Sequence, residues 1–164
     1  MHKATIEIAA TPEQVFTYMT DPKHVKSWQP DAVEVRPLPP GGLRVGAHVG
    51  ATVQEYGRRF DIDMVVAELT PNEHIAYDMD APTAAIHMDY RLVRWGDRTR
   101  LVSTAIVRPK GFLRPLFFLM KGMVQRKIES RLRLLRDVVE QPGPATGFSP
   151  TDRASASRAA PAGR

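Results

Sequence analysis

The sequence predicts an α+β domain in which a curved antiparallel sheet wraps around one long C-terminal helix. Antiparallel strands are indicated by short runs that alternate apolar and polar residues, separated by turn residues. Because an amphipathic helix is not stable alone, we expect the helix to pack on this sheet. The helix itself is indicated over residues 112–140 by apolar side chains at steps of three and four: Leu116, Met120, Val124, Ile128, Leu132, Leu135 and Val139.

The elements are predicted in the order β-α-α-β6-α, with about seven strands in all. Residues 3–8 alternate as a first strand. Thr11-Pro12 supplies a hydroxyl N-cap and a proline at the first helical position. Asp21-Pro22 ends that helix and begins a second, which reaches about Trp28. The later strands are predicted at residues 31–36, 48–56, 60–69, 74–80, 84–94 and 99–108.

We expect residues 1–140 to form one domain and residues 141–164 to be a disordered tail. The tail is rich in proline, alanine and serine, and Phe148 is its only large apolar residue. The chain has no cysteine, which excludes disulfides and thiolate chemistry. It shows no signal-peptide core, and its longest apolar run, residues 116–120, is too short to span a bilayer. These features predict a cytoplasmic protein.

The positive charge is concentrated in the last helix. Residues 1–109 carry 12 basic and 14 acidic groups, whereas residues 110–140 carry 8 and 3. Such a face suits an anionic membrane or nucleic acid, but it is also the ordinary solvated side of a helix. We expect the second, with the following side chains in water: Lys121, Arg126, Lys127, Arg131, Arg133 and Arg136.

The alternation within strands predicts which side chains face the helix. In residues 84–94 the inward set is Ile86, Met88, Tyr90 and Leu92, and in residues 60–66 it is Phe60, Ile62, Met64 and Val66. Small and flexible inward residues suit a cavity with adaptable walls, although methionines also fill solid cores. The pattern alone leaves both interpretations open.

Residue spacing provides no motif for metal or nucleophilic chemistry. The five histidines have neither helical i, i+4 partners nor clustered carboxylates, and no G-x-S-x-G sequence is present. We therefore predict no metal and no cofactor. Acid–base catalysis would have to use isolated inward groups, for which Glu55, Tyr77 and Tyr90 are the candidates.

Several motifs resemble those of the SRPBCC superfamily, the helix-grip fold of START lipid-transfer domains and polyketide cyclases. Residues 6–8 (IEI), residues 10–16 (ATPEQVF), Asp21-Pro22 and Trp28 are similar to its opening. Residues 68–75 (ELTPNEHI) are similar to its central turn, and residues 96–101 (GDRTRL) to its G-D-G-T hairpin, with Arg98 replacing the usual glycine. The resemblance extends from residue 3 to about residue 140. It implies a seven-stranded antiparallel sheet gripping the last helix around a hydrophobic tunnel, and it transfers no catalytic residue.

These observations predict binding of a small hydrophobic or amphipathic molecule, such as a lipid, for transport or sequestration. One alternative is an enzyme of the polyketide cyclase/dehydratase type. Another is a docking module in which Phe117-Phe118 and the basic helix face contact a membrane or a protein. We expect no nucleic acid partner, and either a monomer or a homodimer. The predicted ligand-binding residues are Trp28, Phe60, Met64, Tyr77, Met88, Tyr90, Ser103, Phe117, Met120 and Val124.

Overall fold

The computed structural model describes residues 1–55, 57–81, 84–111 and 121–141, with only the backbone of Lys121. These residues form seven strands and three helices in the predicted β-α-α-β6-α order. The strands are β1 (His2–Ile8), β2 (Ala32–Val35), β3 (His48–Glu55), β4 (Arg58–Thr70), β5 (His74–Asp80), β6 (Ala84–Trp95) and β7 (Arg98–Pro109). The helices are α1 (Pro12–Thr20), α2 (Pro22–Trp28) and α3 (Lys121–Glu140).

The seven strands form one curved antiparallel sheet in the order β1-β7-β6-β5-β4-β3-β2. Strands β2 to β7 form a meander, and β1 pairs with β7 as an edge strand. The first and second strands therefore lie at opposite edges, and α1 and α2 carry the chain from one edge to the other. The α+β helix-grip architecture predicted from the sequence is confirmed.

The two short helices begin where their capping residues predict. The backbone N–H of Gln14 donates to Thr11 Oγ1 (3.4 Å), and the backbone N–H of Thr11 donates to Gln14 Oε1 (2.9 Å). This reciprocal capping box satisfies two N–H groups that a helix start leaves free. Asp21 accepts from the backbone N–H of Lys23 (2.9 Å), which starts α2 directly after α1.

The predicted inward face of β6 is confirmed in its C-terminal half. Tyr90 and Leu92 are buried on β6, whereas Arg91 and Val93, which alternate with them, are exposed. A bulge in β4 shifts the register between Val66 and Glu68, so that two inward positions, Val66 and Leu69, are three residues apart. The alternation of the sequence did not show this bulge. The largest of the completely buried side chains are Ile8, Val15, Val66, Ile75, Thr99, Leu101 and Leu135.

Helix α3 packs chiefly on β1 and on α2. Its Leu132 and Leu135 belong to the core with Ile8 and Leu101, as the apolar stripe predicts. The first part of the predicted helix, residues 112–120, lies outside the described residues, as do Tyr56 and residues 142–164. Among the helices of the described ranges, none is long and apolar enough to cross a membrane.

Candidate ligand-binding site

A small cavity lies between the inner face of the sheet and α3. Its volume is about 20 Å³, roughly the space that one water molecule needs. Its wall combines apolar and polar side chains. The residues that line it are Trp28, Met88, Tyr90, Ser103, Ala105, Ile128, Arg131 and Leu132.

Each wall follows from the geometry of its element. Met88 and Tyr90 are two residues apart on β6 and face the same side, while Ala105 and Ser103 lie opposite them on β7. Ile128, Arg131 and Leu132 have the i, i+3, i+4 spacing that places side chains on one face of a helix. Trp28 is the last residue of α2, is only 3% exposed, and closes the remaining side.

A network of charged side chains lies next to this cavity and joins α3 to the edge of the sheet. Arg131 Nη2 donates to Asp31 Oδ2 (2.5 Å), and Lys127 Nζ lies 3.0 Å from the same oxygen. Lys127 also contacts the carboxylate of Glu55. Two cations and two carboxylates therefore balance one another at this end of the site.

Burial and ion pairing act in opposite directions on this network. Burial alone raises the pKa of Asp31, but the charges of Arg131 and Lys127 outweigh it and leave that pKa below its ordinary value. The pKa of Lys127 is lowered mainly by burial and also by the charge of Arg131. Asp31 partly offsets this decrease in pKa. The prediction that Lys127 and Arg131 belong to a purely solvated face is therefore wrong, because both side chains turn toward Asp31.

Two inward tyrosines lie side by side near the cavity. The rings of Tyr77 and Tyr90 meet edge to face, with centroids 6.4 Å apart. Burial raises the pKa of Tyr77, and the neighbouring Tyr90 raises it further. Burial also raises the pKa of Tyr90, against opposing effects of Arg131 and Ser103. Both phenols are therefore protonated at neutral pH.

The predicted site residues are only partly brought together. Trp28, Met88, Tyr90 and Ser103 line the cavity. Met64 and Tyr77 share the inner face of the sheet without lining the cavity, and Val124 is half-buried on α3. Phe60 also faces inward, but it is 49% exposed. Phe117 and Met120 lie outside the described residues, as does Phe118 of the predicted docking patch.

Of the three candidate acid–base residues, only Tyr90 lines the cavity. Glu55 is engaged with Lys127 and has a half-buried side chain, so it is not a free carboxylate in the cavity. Tyr90 lines the cavity, whereas Tyr77 packs behind it. Sequence reasoning missed Asp31, Lys127 and Arg131. The signal available was weak, since the two basic residues are four apart on α3 in a series of other basic residues.

Within the described residues, much of the inner face beyond the cavity is incompletely covered. Strands β3 to β6 present apolar side chains that are only half-buried, although they point to the same side as the core. Ordinary cores bury such residues fully. The members of this partly uncovered inner face are Ile62, Met64, Met79 and Ile86, together with the exposed Phe60.

A larger depression of about 670 Å³ lies mainly on the outer face of the sheet, but its three carboxylates are already paired. Asp63 is paired with Arg36 and His48, and Asp78 with His87. Asp80, at its rim, is paired with Lys110. We therefore place the candidate site on the inner face. No cluster of three or more potential metal-ligating side chains occurs within residues 1–55, 57–81, 84–111 and 121–141.

The sheet order and the helix packed on its inner face define the helix-grip fold, and solved structures share it. An Aha1 protein from Colwellia psychrerythraea, solved as a dimer, has 17% identity and a TM-score of 0.62, covering 85% of this chain and 96% of that one. A protein from Nitrosomonas europaea has 15% identity and a TM-score of 0.66, covering 85% and 95%. A conserved protein from Geobacillus kaustophilus has 16% identity and a TM-score of 0.63, covering 84% and 93%.

Sequence similarity identifies the family. Residues 2–140 match the family described as polyketide cyclase / dehydrase and lipid transport. The chain belongs to this family, a branch of the SRPBCC superfamily. Among curated proteins, none matches the chain.

Proposed function

We propose that this protein binds a small hydrophobic or amphipathic molecule between the inner face of its sheet and α3, and carries or sequesters it. The observation that supports this most directly is the partly uncovered inner face. Phe60, Met64 and Ile86 point to the core side yet keep contact with solvent. A bound apolar molecule would remove this surface from water, at roughly 25 cal/mol per Å².

The cavity and the uncovered face supply complementary parts of such a site. The cavity of about 20 Å³ has room for a single polar atom group. The uncovered face next to it offers flexible methionine side chains that adapt to the shape of a ligand. Together they suit an elongated or flat molecule with one polar end.

Binding without turnover fits the acid–base groups better than catalysis does. Glu55 is held by Lys127, which stabilises it as a paired carboxylate. Tyr77 and Tyr90 both have raised pKa values, so neither provides a phenolate base near neutral pH. A cyclase or dehydratase activity, which the family description also suits, would need a different proton acceptor.

The first prediction tests the location of the site. Replacing Met88 by Trp should fill the cavity and lower the affinity for an apolar fluorescent probe, N-phenylnaphthylamine, by about tenfold or more, a change of about 1.4 kcal/mol. Val93→Trp is the matched control, since Val93 is on the same strand but exposed on the outer face. Its affinity should equal that of the wild type.

Circular dichroism and thermal unfolding would establish that both variants fold, because overpacking a core costs about 1–3 kcal/mol. Equal loss of affinity in both variants, or no loss in either, would place the probe elsewhere. Ala105→Leu provides a second, smaller obstruction on the opposite wall if Met88→Trp does not fold.

A further inference from the structure

Two residues that line the cavity each carry a buried hydrogen-bond donor without an acceptor in the described part of the chain. The indole Nε1 of Trp28 and the guanidinium Nε of Arg131 are both buried, and within the described residues neither has a hydrogen-bond partner. Both residues line the same cavity. Folded proteins rarely leave such groups unpaired, so each unpaired donor requires an explanation.

The chemistry of the two groups restricts what can satisfy them. An indole N–H and a guanidinium N–H can only donate, so the missing partner must be an acceptor. The cavity also presents the hydroxyls of Ser103 and Tyr90. The partner that Trp28 Nε1 and Arg131 Nε lack is therefore an acceptor oxygen, and the cavity that both residues line has room for one oxygen atom.

The charge balance next to the cavity determines what kind of oxygen fits. The positive charge of Arg131 is already paired with Asp31, and that of Lys127 with Asp31 and Glu55. What remains unmet is hydrogen-bonding capacity, because the charges of the network already cancel. A carboxylate would bring an additional, unpaired negative charge into a buried site, which is costly.

We infer that the ligand carries a neutral carbonyl-type oxygen, as in a ketone, aldehyde, ester or quinone, that accepts from Trp28 Nε1 and Arg131 Nε. This inference rests on the proposed function, since it assigns the polar end of the molecule that binds there. The size of the cavity fits this assignment: about 20 Å³ accommodates an oxygen but not a carbon skeleton. The apolar body lies outside this cavity, over the partly uncovered inner face.

Three naphthalene derivatives of similar shape test the inference. Acetylnaphthalene has a carbonyl, naphthoate a carboxylate, and ethylnaphthalene neither. Their affinities are measured by displacement of N-phenylnaphthylamine. We expect acetylnaphthalene to bind about tenfold more tightly than the other two, the magnitude of one or two net hydrogen bonds.

The variant Trp28→Phe removes the indole N–H and keeps an aromatic ring. Because the Nε–H of Arg131 remains, it should lower the preference for acetylnaphthalene about threefold while retaining ethylnaphthalene binding. Trp95→Phe is the matched control, since Trp95 is the only other tryptophan of the chain, is exposed, and packs under Arg100. It should leave the preference unchanged.

A direct readout comes from the two indole N–H signals in a proton–nitrogen correlation spectrum, assigned with the two variants. Acetylnaphthalene should move the Trp28 signal downfield, as a new hydrogen bond does, and leave the Trp95 signal in place. Equal binding of all three compounds would overturn the inference and leave the proposed function standing. Preference for naphthoate would overturn it in favour of an anion. Failure of every compound and of the fluorescent probe to bind would overturn both.

Discussion

At the scale of single residues, the half-buried carboxylate of Asp31 organises the polar end of the site. It receives Arg131 and Lys127 from a helix that is about 100 residues distant in the sequence. Removal of one partner from such a cluster leaves the other charges poorly compensated. The network therefore stabilises the position of α3 and also keeps Arg131 beside the cavity.

The second prediction concerns Asp31 and pH. Asp31→Asn should lower the free energy of unfolding by about 2 kcal/mol at pH 7, the cost of losing a charged hydrogen-bond partner. The pKa of Asp31 in the folded state lies below its ordinary value of 3.8. Its contribution is therefore fully present above about pH 4 and is lost as the pH falls through the lower, folded-state value.

Urea denaturation of both proteins between pH 7 and pH 3 measures this difference. It should be constant down to about pH 4 and shrink below it. Asp137→Asn serves as the control, because Asp137 pairs with Arg136 on the exposed surface and should change stability by less than about 1 kcal/mol. A difference that grows on acidification would contradict the proposed role of Asp31.

At the scale of elements, α3 has two functional faces rather than one. Its apolar stripe, with Leu132 and Leu135, packs into the core. The adjacent side, with Lys127 and Arg131, bonds to Asp31 near the start of β2. The apolar spacing predicted the first face, because burial of a stripe depends on the helix alone. The second face depends on where another element lies, and the sequence did not predict it.

The third prediction tests the apolar face. Leu135→Ala should lower the free energy of unfolding by about 3 kcal/mol, because this side chain is fully buried and its removal leaves a cavity. Leu134→Ala is the control at the neighbouring position, which is only partly buried. Chemical denaturation should show a clearly smaller loss for Leu134→Ala, and equal losses would mean that the orientation of α3 is wrong.

At the scale of the whole molecule, the described residues of the core and of the candidate site all lie within 1–140. The family match ends at residue 140. A hydrogen bond joins the end of α3 to the residue after β1: Glu140 Oε1 accepts from the backbone N–H of Ala9 (2.7 Å). Residues 142–164 lie outside the described structure, so the predicted disorder of the tail stays a prediction.

The fourth prediction concerns the tail. A chain ending at Gln141 should keep its melting temperature within about 2 °C of the full chain, equivalent to less than about 0.5 kcal/mol, and bind N-phenylnaphthylamine equally well. A chain ending at Arg131 is the contrasting variant, because it lacks Leu132 and Leu135 of the core. It should fail to fold. Loss of stability on removal of residues 142–164 alone would show that the tail belongs to the domain.

The sequence by itself determined the fold class, the order of the elements and the inward faces of the strands. These properties follow from local periodicity, capping residues and turns, which act over a few residues each. Alternation along paired strands also sets the direction of side chains. It therefore assigned to one wall of the cavity the residues Met88, Tyr90 and Ser103.

Only the tertiary structure decided the size and polarity of the site. The water-sized cavity depends on how the side chains of α2, β6, β7 and α3 fill one volume, which no single segment specifies. The approach of Arg131 to Asp31 depends on contacts between distant segments, as do the two donors that lack an acceptor among the described residues. Hydrogen bonding and ion pairing act over a few ångströms in space, so they become visible only when the chain is folded.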